Sequence, residues 1–166
     1  FTSGATAALN TIFQGLLKPG DRVLVSSCEH NSVMRPLTWL AKERDITIER
    51  FRVEPDGAPD LENYRKHLAK RPRLVAVTAI SNVTGAIFPW REMAREAHET
   101  GAFFALDAAQ AAGGLPLDDA AGIVEGTGHD ELAGTVAQAV HATEGIVSVA
   151  HLAPVEARQA AAAREL

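Results

Sequence analysis

Residues 74–106 read LVAVTAISNVTGAIFPWREMAREAHETGAFFAL and contain two short, almost wholly apolar runs, at 74–78 and 101–106. Between them, Pro89 begins a segment that predicts a helix to His98, because proline suits the first turn of a helix. Short continuous apolar runs are typical of strands that are buried on both faces of a parallel sheet. This strand–helix–strand unit predicts an open α/β fold, a mostly parallel sheet with helices on both faces.

The same alternation of helix and strand extends upstream of this unit. Apolar spacing predicts helices at 4–17, 31–44 and 60–70, and strands at 22–26 and 47–51. We expect Thr2 or Ser3 to cap the first helix and Asp60 to cap the third, because their side-chain oxygens accept from free backbone N–H groups. One domain of residues 1–118 accounts for the whole pattern.

Residues 119–166 differ in character and form a second, divergent segment whose packing the pattern leaves open. A helix at 130–142, a strand at 145–151 and an alanine-rich helix at 154–166 are compatible with it. The chain also begins with Phe1 at a predicted helix start, and we therefore expect further sequence upstream.

Composition narrows the class of protein. The 166 residues carry a net charge of −5 and show no cluster of Lys and Arg, which argues against a nucleic-acid-binding surface. No apolar run is long enough to span a bilayer. The single cysteine, Cys28, cannot form an internal disulfide, which favours a reducing compartment, and we expect a cytoplasmic protein.

Polar residues follow each predicted buried strand, where ligands bind in open parallel sheets. These residues are Cys28, Glu29 and His30 after the first strand, Ser81, Asn82, Thr84 and Gly85 after 74–78, and Asp107 and Gln110 after 101–106. The start of the first helix, with Ser3, Gly4 and Thr6, favours an anion. Each group alone also fits a cap, a turn or a surface position.

Four segments together resemble class V aminotransferases, in particular the cysteine desulfurase and selenocysteine lyase branch of these pyridoxal-phosphate (PLP) enzymes. They are FTSGATAALN (1–10), SCEHNSV (27–33), SNVTG (81–85) and DAAQ (107–110). The resemblance implies a partial PLP-binding large domain and, in the parent enzyme, carbon–sulfur cleavage of a cysteine-like amino acid by a homodimer.

The resemblance also implies roles for individual residues. Ala5 and Thr6 would hold the PLP phosphate, and His30 would stack on the ring as the catalytic residue. Asn82 and Gln110 would lie near the ring hydroxyl, and Asp107 would pair with the ring nitrogen. A carboxylate there favours the protonated ring, which deepens the electron sink that PLP provides.

The chain departs from the family pattern at the lysine that forms a Schiff base with PLP. Its lysines are Lys18, Lys42, Lys66 and Lys70, all upstream of Asp107. The segment GTGHD (126–130) resembles the family's T-G-H-K turn, with Asp130 in place of the lysine, and His129 could help hold the phosphate. The same segment also fits a plain turn and helix start. The family's catalytic cysteine is not found, and Cys28 reads as a small core residue.

We therefore expect a PLP-binding fragment that is inactive alone; the alternative is a non-catalytic domain that binds a phosphate ligand or a partner chain. A nucleotide-binding domain is disfavoured because neither G-x-G-x-x-G after a strand nor a P-loop is present. We expect no metal site, because the spacing of His129, His141 and His151 matches no common ligand pattern.

Overall fold

The computed structural model describes residues 4–111 in full, together with the backbone of residues 142–143 and 146–149. Its strands form one sheet in the order β2-β1-β3-β4-β6-β5. Neighbouring strands are parallel except β5, which runs antiparallel to β6. The predicted open and mostly parallel α/β fold is confirmed.

The elements of the described ranges follow one another as α1 (Ala5–Leu16), β1 (Arg22–Ser26), α2 (Asn31–Arg44), β2 (Thr47–Phe51), α3 (Leu61–Leu68), β3 (Leu74–Thr78), α4 (Trp90–Glu99), β4 (Phe103–Asp107), β5 (Ala142–Thr143) and β6 (Ile146–Val149). Four of these elements, β1, α2, β2 and β3, have the predicted bounds. β4 begins two residues later than predicted because Gly101, with φ of 82°, still belongs to the turn after α4.

Two predicted helix caps met different outcomes. Asp60 is the N-cap of α3, and its side chain accepts from the backbone N–H of Asn63, as predicted. The N-cap of α1 is Gly4, which provides no side-chain cap bond. The prediction that Thr2 or Ser3 caps α1 was therefore wrong, because the helix begins one residue later than Gly4 and leaves those residues outside the cap position.

Helices cover both faces of the sheet because strand residues alternate between two apolar clusters. Leu24, Val75 and Leu106 face one cluster, which contains Tyr64 of α3 and Met93 of α4. The neighbouring residues Val23, Val25, Leu74, Ala76 and Ala105 face the other cluster, which contains residues of α1 and α2. This period of two is the side-chain pattern of a strand buried on both sides.

The later part of the chain contributes to the same sheet. β6 lies within the predicted strand 145–151 and pairs in parallel with β4. Ala142 belongs to β5, so the predicted helix 130–142 was wrong at its last residue. Residues 130–141 and the predicted helix 154–166 lie outside the described residues. None of the helices in the described ranges is long and apolar enough to cross a bilayer.

Candidate functional site

The helix N-termini and the carboxyl ends of the parallel strands lie at the same edge of the sheet. Each helix returns the chain to the start of the next strand, so the helices run opposite to the strands. α1 and α2 end side by side, because Arg44 Nη1 donates to the carbonyls of Gln14 at 2.9 Å and Leu17 at 3.2 Å. We call the edge where the parallel strands end the carboxyl edge.

Asp107 is the last residue of β4 and is 7% exposed at the carboxyl edge. Burial raises the pKa of its carboxyl. The backbone N–H of Ala109, the charge of His30 and the hydroxyl of Ser32 lower that pKa and offset part of the rise. The Ala109 N–H donates to Asp107 Oδ1 at 3.1 Å. A buried carboxyl with few donors around it is suited to pairing with a cation.

His30 is the N-cap of α2 and links this helix to Asp107. Its Nδ1 accepts from the backbone N–H of Ser32 at 3.1 Å and lies 2.9 Å from Ser32 Oγ. The Ser32 hydroxyl also lowers the pKa of the Asp107 carboxyl. Because Nδ1 accepts a bond, a neutral His30 carries its proton on Nε2. His30 therefore caps α2 and also lies close to Asp107. It is exposed at the carboxyl edge.

Glu29 places a second carboxyl between the ends of β1 and β3. Its Oε1 accepts from Ser26 Oγ at 2.5 Å and from the backbone N–H of Thr78 at 3.1 Å. Its Oε2 is buried and has no hydrogen-bond partner in the described part of the chain. Burial raises the pKa of Glu29 to about 7, and the nearby charge of Asp107 also raises it.

Asn82 lies in the turn that follows β3. The turn is closed by the backbone N–H of Gly85, which donates to the Ser81 carbonyl at 2.9 Å, and Gly85 has φ of 73°. Asn82 is exposed. The backbone N–H of Ala79 donates to the Asp107 carbonyl at 2.9 Å, which joins the start of this loop to the end of β4.

The remaining predicted site residues are distributed as follows. Ala5 and Thr6 form the first turn of α1, where Thr6 is exposed and Ala5 is half-buried. Gln110 is exposed in the turn after β4. His129 lies outside the described residues. The charges of His30 and Asp107 therefore interact, whereas Ala5, Thr6, Asn82 and Gln110 share only the edge with them.

The lysines lie at the edge opposite to His30 and Asp107. Lys18 and Lys70 occur in the turns that lead into β1 and β3, and Lys42 and Lys66 lie in the last turns of α2 and α3. Lys70 Nζ donates to Glu49 Oε2 at 3.0 Å. The four lysines of the sequence thus all belong to segments at the edge opposite to the carboxyl edge.

Two contributors to this site were given no role from the sequence. Ser32 bonds to His30 and lowers the pKa of Asp107. Glu29, named above only among the polar residues after the first strand, supplies the second buried carboxyl. Both lie in the segment 27–33 that carries the resemblance, but a serine in a first helical turn and a glutamate before a helix are ordinary on the surface. Cys28 is half-buried against the core, as predicted.

Comparisons with known proteins identify the family of the chain. The family described as "Aminotransferase class-V" matches residues 1–130. A cysteine desulfurase from Cereibacter sphaeroides is 36% identical over 149 residues, which cover 88% of this chain and 37% of that protein. Another from Dickeya dadantii is 36% identical over 115 residues, covering 67% of this chain and 28% of that protein.

Solved structures give the same result for the fold. The apo cysteine desulfurase from Thermococcus onnurineus NA1 superposes with a TM-score of 0.64 at 34% identity, over 68% of this chain and 28% of that chain. A cysteine desulfurase from Escherichia coli superposes with a TM-score of 0.66 at 28% identity, over 72% of this chain and 31% of that chain. The chain thus spans about a third of the length of these relatives. With most of its length matched, the chain belongs to the class-V aminotransferase family.

Proposed function

We propose that this chain is a PLP-binding part of a cysteine desulfurase-like enzyme, and that it does not catalyse carbon–sulfur cleavage alone. The observation that carries the proposal is the buried carboxyl of Asp107 at the carboxyl edge, within reach of the charge of His30, the N-cap of α2. The relatives with the printed name cysteine desulfurase suggest a cysteine-like substrate for the complete enzyme.

The chemistry of the described residues fits the cofactor. Asp107 would hold the protonated ring nitrogen, since a cation offsets the cost of a buried carboxylate. His30 would stack on the ring, and Asn82 and Gln110 would bond near the ring hydroxyl. Ala5 and Thr6, at the free N–H groups of α1, would hold the phosphate, and His129 would assist them. When bound, PLP supplies an electron sink for cleavage next to the substrate nitrogen.

This chain would bind the cofactor without a covalent bond, because its lysines lie at the opposite edge. Residues 1–118 would form the partial cofactor domain, and 119–166 the divergent segment. We further propose that the parent enzyme is a cytoplasmic homodimer, as the resemblance implies. The lack of a suitably placed lysine also favours the second candidate, a non-catalytic domain that binds a phosphate ligand or a partner chain.

Pyridoxamine 5′-phosphate is the appropriate probe, because it has no aldehyde and cannot react with surface lysines. Isothermal titration of the purified chain should give saturable binding of one equivalent. Asp107→Asn should weaken it by about 10- to 100-fold, since a bond between charged groups contributes roughly 1.5–3 kcal/mol. Asp45→Asn is the matched control, because Asp45 is exposed at the end of α2, at the opposite edge.

Three outcomes separate the candidates. Equal affinity in the wild-type and Asp107→Asn chains would contradict the proposed ring site. Saturable binding of inorganic phosphate with no further gain from the ring would favour the phosphate-binding alternative. Reduction of a PLP-treated chain with borohydride, followed by mass spectrometry, should show no specific adduct; a stoichiometric adduct on one lysine would refute non-covalent binding.

A further inference from the structure

The carboxyl of Glu29 connects three elements of the carboxyl edge. Its Oε1 is bonded by Ser26 at the end of β1 and by Thr78 at the end of β3. Thr78 is the register partner of Asp107, the last residue of β4. The side chain of Glu29 therefore joins β1 to β3, the strand beside Asp107, although it belongs to the loop that leads into α2.

The second oxygen of Glu29 has no partner to stabilise a negative charge. Oε2 is buried and accepts no hydrogen bond from any described residue. A buried carboxylate oxygen without a donor is costly, and a carboxyl in this position keeps its proton more readily than one in water. A purely structural clamp between Ser26 and Thr78 would be served equally well by a glutamine, which titrates nowhere in this range.

The charged groups that face Glu29 come from two of the elements packed around it. Asp107 of β4 raises the pKa of Glu29 through its negative charge. His30, the N-cap of α2, is the adjacent residue and interacts with the charge of Asp107. Ser26 of β1 and Thr78 of β3 are uncharged. Burial is the main reason that Glu29 keeps its proton, and the charge on Asp107 adds to it. Of these two causes, only the charge would change when a cation binds beside Asp107.

We propose that Glu29 is a positioning residue that acts on the cofactor site through Asp107: it joins the ends of β1 and β3, and it releases its proton to solvent when a cationic ring pairs with Asp107. This inference rests on the proposed function. The physical reason is linkage: burial keeps the proton on Glu29 and the charge of Asp107 adds to this effect, so a cation beside Asp107 removes that addition. Binding of the ring and loss of the proton therefore favour each other.

The first test uses the chain without ligand. Carbon-13 NMR of the glutamate carboxyls should show Glu29 titrating near pH 7, and Asp107→Asn should lower that midpoint. A midpoint near the ordinary glutamate value, or one unchanged by Asp107→Asn, would overturn the proposal. If Asp107→Asn does not fold, Asp107→Ser takes its place in the same measurement, because it also removes the charge and keeps an oxygen that can accept from the Ala109 N–H.

The second test measures pyridoxamine 5′-phosphate affinity from pH 6 to pH 8 in the wild-type chain, in Glu29→Gln and in the exposed control Glu43→Gln. The titrations of the ligand itself are common to all three proteins. The wild-type and control chains should gain about threefold more affinity with rising pH than Glu29→Gln, which corresponds to half a pKa unit of coupling. Parallel profiles would overturn the ligand-linked proton release.

The two tests separate this inference from the proposed function. If no protein binds pyridoxamine 5′-phosphate, the proposed function fails and the linked proton release fails with it. The NMR titration would then decide by itself whether Glu29 follows the charge of Asp107. If the ligand binds but Glu29 titrates near its ordinary value, the proposed function stands and the role of Glu29 is refuted.

Discussion

A single methyl group added at Gly57 is predicted to disturb the loop that follows β3 and carries Asn82. Gly57 lies in the loop before α3 and has φ of 91°, a conformation that L side chains rarely adopt. A Cβ at this position would lie 2.7 Å from Thr84 Oγ1 and 2.8 Å from Ala86 Cβ. Thr84 and Ala86 belong to the loop that carries Asn82. Gly57→Ala should therefore strain the backbone and also displace that loop.

The loss of stability in Gly57→Ala is the sum of two separate costs. The left-handed backbone costs an alanine about 1–2 kcal/mol, and overpacking against two close atoms adds about 1–3 kcal/mol. Gly20→Ala is the matched control, because Gly20 has φ of 83° but nothing within 4 Å of its added Cβ. The control carries only the first cost. The loss of unfolded-state entropy is common to both substitutions and cancels in the comparison.

Urea denaturation followed by tryptophan fluorescence provides the assay, since Trp90 is 2% exposed in the core. Gly57→Ala should lower the free energy of unfolding by about 1–3 kcal/mol more than Gly20→Ala does. Thr84→Ala in the Gly57→Ala chain should recover part of the difference, because the two residues are in contact. Equal losses in the two glycine variants, within about 0.5 kcal/mol, would refute the close approach of the two loops.

Two further predictions concern buried polar groups. The hydroxyl of Tyr64 donates to the carbonyl of Met93 at 2.7 Å within the core, and Tyr64→Phe should lower the free energy of unfolding by about 1 kcal/mol while its ring still packs on Phe51; denaturation with no change in stability would contradict a contribution from this bond. Stability should also fall as the pH rises through 7, because folding raises the pKa of Glu29 from 4.5 to about 7. The folded chain holds this proton more tightly, so its stabilising effect is complete below pH 4.5 and is lost above pH 7. The loss amounts to about 3 kcal/mol, and the raised pKa of Asp107 acts in the same direction. Glu29→Gln should flatten the curve of unfolding free energy against pH. A curve equally steep in that variant would assign the effect to other groups.

The sequence predicted those features that depend on local order. Apolar runs such as 74–78 can be recognised as strands from the sequence, because a strand buried on both faces is apolar along its length. Helix α2 has its predicted bounds, and Asp60 caps α3, because a cap acts within three residues of itself. The positions of His30 and Asp107 at strand ends followed from the same pattern, since parallel strands bring their carboxyl ends to one edge.

The tertiary structure alone decided which of these residues meet. Ser32 acts on the pKa of Asp107, 75 residues later in the chain, and Glu29 accepts from Thr78 across two neighbouring strands. Such pairs depend on the strand order β2-β1-β3-β4-β6-β5, which local periodicity does not specify. The strand order also places the lysines at the edge opposite to the carboxyl edge. It likewise brings the loop of Gly57 close to the loop of Thr84. Residue types and their spacing along the chain therefore determined the elements and the candidate groups, whereas burial and strand neighbours determined their charge states and partners, because desolvation and hydrogen bonding depend on distances in space.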